Sequence, residues 1–146
     1  MVDSRAKGAR AEYSARDLLR KYTGLPWERT PSSGALEYLK GDLYIPNSEQ
    51  KYTIEVKNYE ESSINDKILV NTTNNFVNWW PKLLLQAKNT KPILFYKYNR
   101  SKFFVGVNIP PITIHKYIHI MPQNCYIMVA EDWLKNEWHI YDKTQN

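Results

Sequence analysis

The sequence predicts an α/β fold in which a mixed central β-sheet is flanked by helices. Three observations point there. Two segments, one near the start and one beyond residue 75, repeat apolar residues at helical spacing. The stretches between and after them alternate apolar and polar residues with period two, as strands with unlike faces do. Hydrophobic residues make up 42% of the 146, enough for the core of one compact domain, expected to span residues 1–146.

Residues 5–21 are expected to be helical. Ala11, Ala15, Leu18, Leu19 and Tyr22 form one apolar stripe, and Gly24 and Pro26 end it. Residues 27–30 form a short extended piece leading into Pro31-Ser32-Ser33-Gly34, all turn formers. A hairpin follows, with strands over 41–45 and 51–57 and a turn opened by Pro46-Asn47-Ser48. Residues 58–73 are polar and expected to be irregular. A helix over 75–88 carries Phe76, Trp79, Trp80, Leu83, Leu84 and Ala87, with Pro81 kinking it or starting its second half. Strands are expected over 92–97 and 103–107, extended chain after Pro110-Pro111, a last strand over 126–129 and a short closing helix over 131–134.

The balance of charge is basic, 20 Lys and Arg against 15 Asp and Glu, which favours polyanionic partners and nucleic acid first. Arg5, Lys7, Arg10, Arg16, Arg20, Lys21 and Arg29 crowd the first thirty residues, so phosphate contacts are expected there, from Arg5, Lys7 and Arg10 above all. Cys125 is alone, which excludes an internal disulfide and suits a reducing cytoplasm; it reads as a small buried apolar residue. The first ten residues lack the apolar stretch of a signal peptide, and no apolar run is long enough to span a membrane. No glycine-rich phosphate loop, Cys-x-x-Cys pair or Gly-x-Ser-x-Gly elbow occurs, so no small-molecule cofactor is expected.

Strand phase brings the chemistry together. In 51–57, Tyr52, Ile54 and Val56 point one way, and Thr53, Glu55 and Lys57 the other. In 41–45, Leu43 and Ile45 take the core side and leave Asp42 on the opposite one. If the strands pair, Asp42, Glu55 and Lys57 share one face. Two carboxylates there can hold a hard divalent cation such as Mg²⁺, with Mn²⁺ as substitute, and the Val56 carbonyl is a further oxygen ligand. Such a cation polarises a phosphodiester and activates water, while Lys57 orients that water or offsets charge growing on the phosphate. Read blandly, Glu-x-Lys on a strand is an exposed ion pair of little energetic value. Asp42 in matching phase on the neighbouring strand raises the catalytic reading above that.

Gly41-Asp42 followed thirteen residues later by Glu55-Val56-Lys57 resembles the signature of the PD-(D/E)xK nucleases, with Gly41 where the signature has Pro. Lys7-Gly8-Ala9-Arg10-Ala11-Glu12 resembles the start of the archaeal-type Holliday junction resolvases, and Arg29-Thr30-Pro31-Ser32-Ser33-Gly34 resembles their Arg-x-Pro-x-Ser-Gly loop. The resemblance covers roughly residues 5–107. It implies a restriction-endonuclease-like fold and a Mg²⁺-dependent endodeoxyribonuclease that cuts four-way DNA junctions as a homodimer. It also implies that Asp42 and Glu55 are metal ligands, Lys57 is the catalytic lysine and Glu12 completes the acidic cluster. Ser33 would sit in the loop that affects strand cleavage, with Ser32 beside it against DNA. Arg29 would contact DNA or position that loop. The abundance of thermolabile Asn points to a bacteriophage or bacterial relative rather than a hyperthermophile.

Other residues have competing readings. Glu12 is also placed for an i,i+4 ion pair with Arg16, and Ser33 for a plain turn. Gln86 is either solvated or close to the site. Trp79 and Trp80 are expected in the core or an interface before any stacking on bases. His115 and His119, four residues apart on extended chain, lie ~13 Å apart, too far to share a metal. Another nuclease of the same fold, acting on duplex or flapped DNA, and a non-catalytic DNA-binding module are the rival functions.

Overall fold

The computed structural model describes residues 4–31, 39–70, 75–121 and 123–144 of the chain. Its elements are α1 (Ser4–Thr23), β1 (Glu28–Arg29), β2 (Leu43–Tyr44), β3 (Tyr52–Tyr59), a 3-10 turn (Asp66–Leu69), α2 (Asn75–Ala87), β4 (Lys91–Tyr98), β5 (Phe104–Val107), β6 (Ile118–Ile120), β7 (Cys125–Val129), α3 (Ala130–Asn136) and α4 (Trp138–Lys143). The strands form one sheet of seven in the order β1-β2-β3-β4-β5-β7-β6. Only β3 and β4 run parallel, as they must when a helix, α2, carries the chain between them. The expected α/β architecture, a mixed sheet flanked by helices, is the one observed.

Helix α1 forms because Ala11, Ala15 and Leu19, each four residues apart, stack on one face and bury it completely against the sheet. It ends where predicted. Gly24 takes φ +72°, a conformation that costs glycine little, and its N–H donates to the Arg20 carbonyl at 3.0 Å. Arg20 and Lys21 in the last turn suit the negative end of the helix dipole.

The sheet has two cores. On one side Ile54, Val56, Ile93, Phe95, Val105 and Met128 meet α1, α3 and α4. On the other, Leu94, Tyr96, Cys125 and Ile127 meet Phe76, Trp79, Trp80 and Leu83 of α2. Trp80 is wholly buried and Trp79 nearly so, which places both in the core. Pro81 stays inside α2.

Three parts differ from expectation. β3 runs on to Tyr59, because its pairing with β4 continues to Tyr59 opposite Tyr98. Of the extended chain expected after Pro110-Pro111, Ile118–Ile120 pairs as an edge strand with β7, while Ile112 and Thr113 are tied by their N–H groups to the buried carboxylate of Glu137. Helix α4 has no counterpart in the predicted elements; Trp138 and Tyr141 anchor it against Trp133, Trp27 and Tyr52. The loop residues Ser32 and Ser33 lie outside the described residues.

Candidate active site

The hairpin of β2 and β3 forms in the phase predicted, with Leu43 opposite Ile54. Asp42 directly precedes β2. Its N–H donates to the Ile54 carbonyl at 2.6 Å, and its own carbonyl accepts from Thr30 N–H at 2.9 Å, so its backbone is fixed from both sides. Its side chain is fixed too: Oδ2 accepts from the Val56 N–H at 2.8 Å. The Glu55 carboxyl lies within hydrogen-bonding reach of it.

This pairing is electrostatically unfavourable. Burial first, and then the charge of Glu55, push the Asp42 carboxyl up to about 7, against the opposing pull of the Val56 N–H and of the Lys57 ammonium. Two acids packed in this way are a donor set suited to a hard cation, which replaces their repulsion with attraction. The Val56 carbonyl fits the same set. Along a strand the N–H and C=O of one residue face the same neighbour, so with its N–H on Asp42, Val56 turns its oxygen to the same side. The donors present therefore fit a divalent metal held by Asp42, Glu55 and the Val56 oxygen.

Gln86 of α2 completes the centre. With its amide nitrogen toward the site, it donates to Glu55 Oε1 at 3.0 Å, and its oxygen accepts from the Gly41 N–H at 3.0 Å. Gly41 is more than a tolerated variation on proline. It sits at φ +80°, which proline cannot adopt, and a Cβ there would fall 2.5 Å from the Ile54 carbonyl oxygen. Proline would also lack the N–H that Gln86 receives.

Glu12 is engaged by Arg29. Among the described residues no group of three or more His, Cys, Asp or Glu side chains is gathered closely enough to hold a metal. Arg29 Nε donates to Glu12 Oε1 at 2.9 Å and ties that carboxylate to β1. Burial raises the Glu12 carboxyl, Arg29 opposes this, and the charge of Asp42 adds to the rise, so the two acids still sense each other. Arg29 also lies over the Tyr13 ring, 4.8 Å from its centre, and is thus engaged by α1. Glu12 makes that contact rather than the i,i+4 pair with Arg16, which binds Asp17 instead.

Lys7 and Arg10 border a groove that begins at Val56 and Lys57. Arg5 is exposed on the same first turns of α1. His119 stacks on Tyr126 with ring centres 4.0 Å apart, away from the acids. Sequence reasoning missed the conformational role of Gly41 and left Gln86 undecided. Gly41 next to Asp42 was the available signal, since a glycine ahead of a strand often marks a positive φ.

Comparison with known proteins gives three matches. The sequence model of a family described as "Phage putative PDDEXK endonuclease" matches residues 3–142. "Protein D14" of Escherichia phage T5 is 38% identical over 115 residues, covering 73% of this chain and 72% of that protein. Among solved structures, that of Archaeoglobus fulgidus Hjc, titled a Holliday junction resolvase from an archaeal hyperthermophile, matches with a TM-score of 0.45 and 15% identity. It covers 96% of this chain and 99% of that one.

Proposed function

The chain belongs to the phage PDDEXK endonuclease family, and from that premise we propose a Mg²⁺-dependent endodeoxyribonuclease selective for branched DNA, a Holliday junction resolvase working as a homodimer. The nuclease part follows from the family. The observation that carries the site is the forced pairing of Asp42 with Glu55, held by the Val56 N–H and by Gln86. The junction part is supported by the resemblance of residues 7–12 and 29–34 to the resolvases. In this reading the whole of 1–146 is one nuclease domain, acting in the cytoplasm of a prokaryotic or phage-infected cell.

Asp42, Glu55 and the Val56 oxygen hold the metal, and Mn²⁺ substitutes for Mg²⁺. When bound, that cation supplies Lewis acidity to the scissile phosphodiester and to the attacking water. The residues do the rest. Gln86 keeps the Glu55 carboxylate turned toward Asp42. Lys57 projects from the same strand face as Glu55, two residues on, where its ammonium orients the water or offsets charge gathering on the phosphate. Glu12 anchors Arg29, which steadies β1 at the edge of the site; Ser32 and Ser33, placed against DNA by the resemblance, lie outside the described residues. Lys7, Arg10 and Arg5 supply phosphate contacts.

The test is cleavage of a labelled immobile four-way junction with Mg²⁺, beside linear duplex of the same arms, using wild type and Glu55→Gln. Paired symmetrical cuts in the junction, sparing duplex and abolished in the variant, are expected. Equal cutting of junction and duplex would replace the resolvase with a general nuclease. Binding without cutting in either Mg²⁺ or Mn²⁺ would overturn the enzyme and leave a DNA-binding module.

A further inference from the structure

Beyond Lys57 the floor of the site opens into a groove of about 590 Å³, whose walls include Lys7 and Arg10 of α1, Asn58 and Tyr59 at the end of β3, and Asn99 in the turn after β4. Its size falls in the ~300–1,000 Å³ range of sites that enclose small organic groups, so one nucleotide fits. Two features describe its occupant. Lys7, Arg10 and Lys57 face a single acid, Glu60, which suits a phosphate. Tyr59 is 38% exposed, and its ring is backed by Trp79 at 4.9 Å, which rests in turn on Tyr96 at 5.5 Å. A supported aromatic ring with free surface is a platform for a base. A base can lay its face on that ring only after it has left the duplex stack, and with it its pair.

Resting on the nuclease reading above, we infer that this groove is a subsite for the nucleotide beside the scissile phosphate, held unpaired with its base against Tyr59. An unpaired nucleotide is readily available at a branch point and costly to extract from intact duplex. The groove therefore selects branched or distorted DNA within a single protomer, apart from any selection by dimer geometry.

The experiment is a cycle between Tyr59 and the base. Wild type, Tyr59→Leu and Tyr59→Phe are assayed on a junction in which an abasic site is walked one nucleotide at a time across the branch point. Both kcat/KM for cleavage and the affinity of each protein carrying Glu55→Gln are read. On intact junction Tyr59→Leu is expected to lose about tenfold and Tyr59→Phe to stay near wild type. At one position of the abasic site, wild type and Tyr59→Leu should become equal. A Tyr59→Leu defect of the same size at every position would overturn the subsite and reduce Tyr59 to a support for Trp79. No Tyr59→Leu defect on intact junction would overturn it as well. If wild type binds but cuts no DNA, the enzyme reading fails separately, and the affinity cycle still decides the subsite.

Discussion

Asp42 is fixed by two backbone hydrogen bonds, to Ile54 and from Thr30, and by the Val56 N–H on its carboxylate, while burial and Glu55 work against its charge. An acid whose folded pKa lies above its unfolded one weakens the fold as pH rises through that window. Asp42, raised from 3.8 to about 7, therefore costs the fold nothing below 3.8, increasingly more as pH rises, and its full penalty above neutrality. Asp42→Asn keeps an oxygen for the Val56 N–H and removes the charge facing Glu55. In metal-free buffer at pH 8 this variant is expected to unfold at higher temperature than wild type, by a margin of a few kcal/mol at most, while showing no cleavage. Added Mg²⁺ should raise the wild-type midpoint and leave that of the variant unmoved. Thermal denaturation with and without EDTA checks both, and an Asp42→Asn midpoint below wild type in EDTA would contradict the account. At this scale the sequence was legible where chemistry follows strand phase, as for Asp42, Glu55 and Lys57. It was not legible for Gln86 and Gly41, because their roles arise from α2 crossing the hairpin, a tertiary event with no local signature.

The elements divide in a similar way. α1, the β2–β3 hairpin, α2, β4, β5 and β7 were readable because each buries a regular stripe or alternate face, so the period survives in the residues. α4 was not, since its six residues hold too few turns to show a period, and it owes its existence to Trp138 and Tyr141 finding the aromatic cluster of Trp27, Tyr52 and Trp133. β6 has no buried face to announce it. The segment before β6 is fixed by Glu137, a residue at the α3–α4 junction that is 4% exposed. Burial pushes its carboxyl up, but the Thr113 hydroxyl and the N–H groups of Ile112 and Thr113 outweigh that and bring it below its ordinary value. A depressed acid stabilises the fold above the unfolded pKa, near 4.3, and that stability is lost as pH falls through the folded value. Glu137→Gln is therefore expected to cost ~1–3 kcal/mol at pH 7, measured by urea denaturation, with the difference from wild type shrinking as pH drops below 4. A difference independent of pH would show that the amide replaces the carboxylate by shape alone.

For the whole molecule, the net charge of +5 is spread unevenly, and the groove beside the acids gathers Lys7, Arg10 and Lys57. A field of that kind makes DNA affinity fall with salt, because each phosphate neutralised releases condensed counterions. Its slope is also a count. Removing one true phosphate contact lowers the slope of log K against log salt by ~0.9 on duplex arms. A homodimer carries every substitution twice, so Lys7→Gln or Arg10→Gln should lower it by about 1.8 if both grooves engage one junction, and by about 0.9 if only one does. Lys135→Gln, an exposed cation of α3 that does not border the groove, should leave it unchanged. The measurement is fluorescence anisotropy of labelled junction titrated with Glu55→Gln protein across a KCl series without Mg²⁺, which keeps the substrate uncut and avoids competition from the divalent cation. A change near the doubled value would tie the two-fold symmetry of the junction to two grooves acting together. The single value would confine recognition to one protomer at a time, and an unchanged slope for both Lys7 and Arg10 variants would remove phosphate binding from the groove altogether.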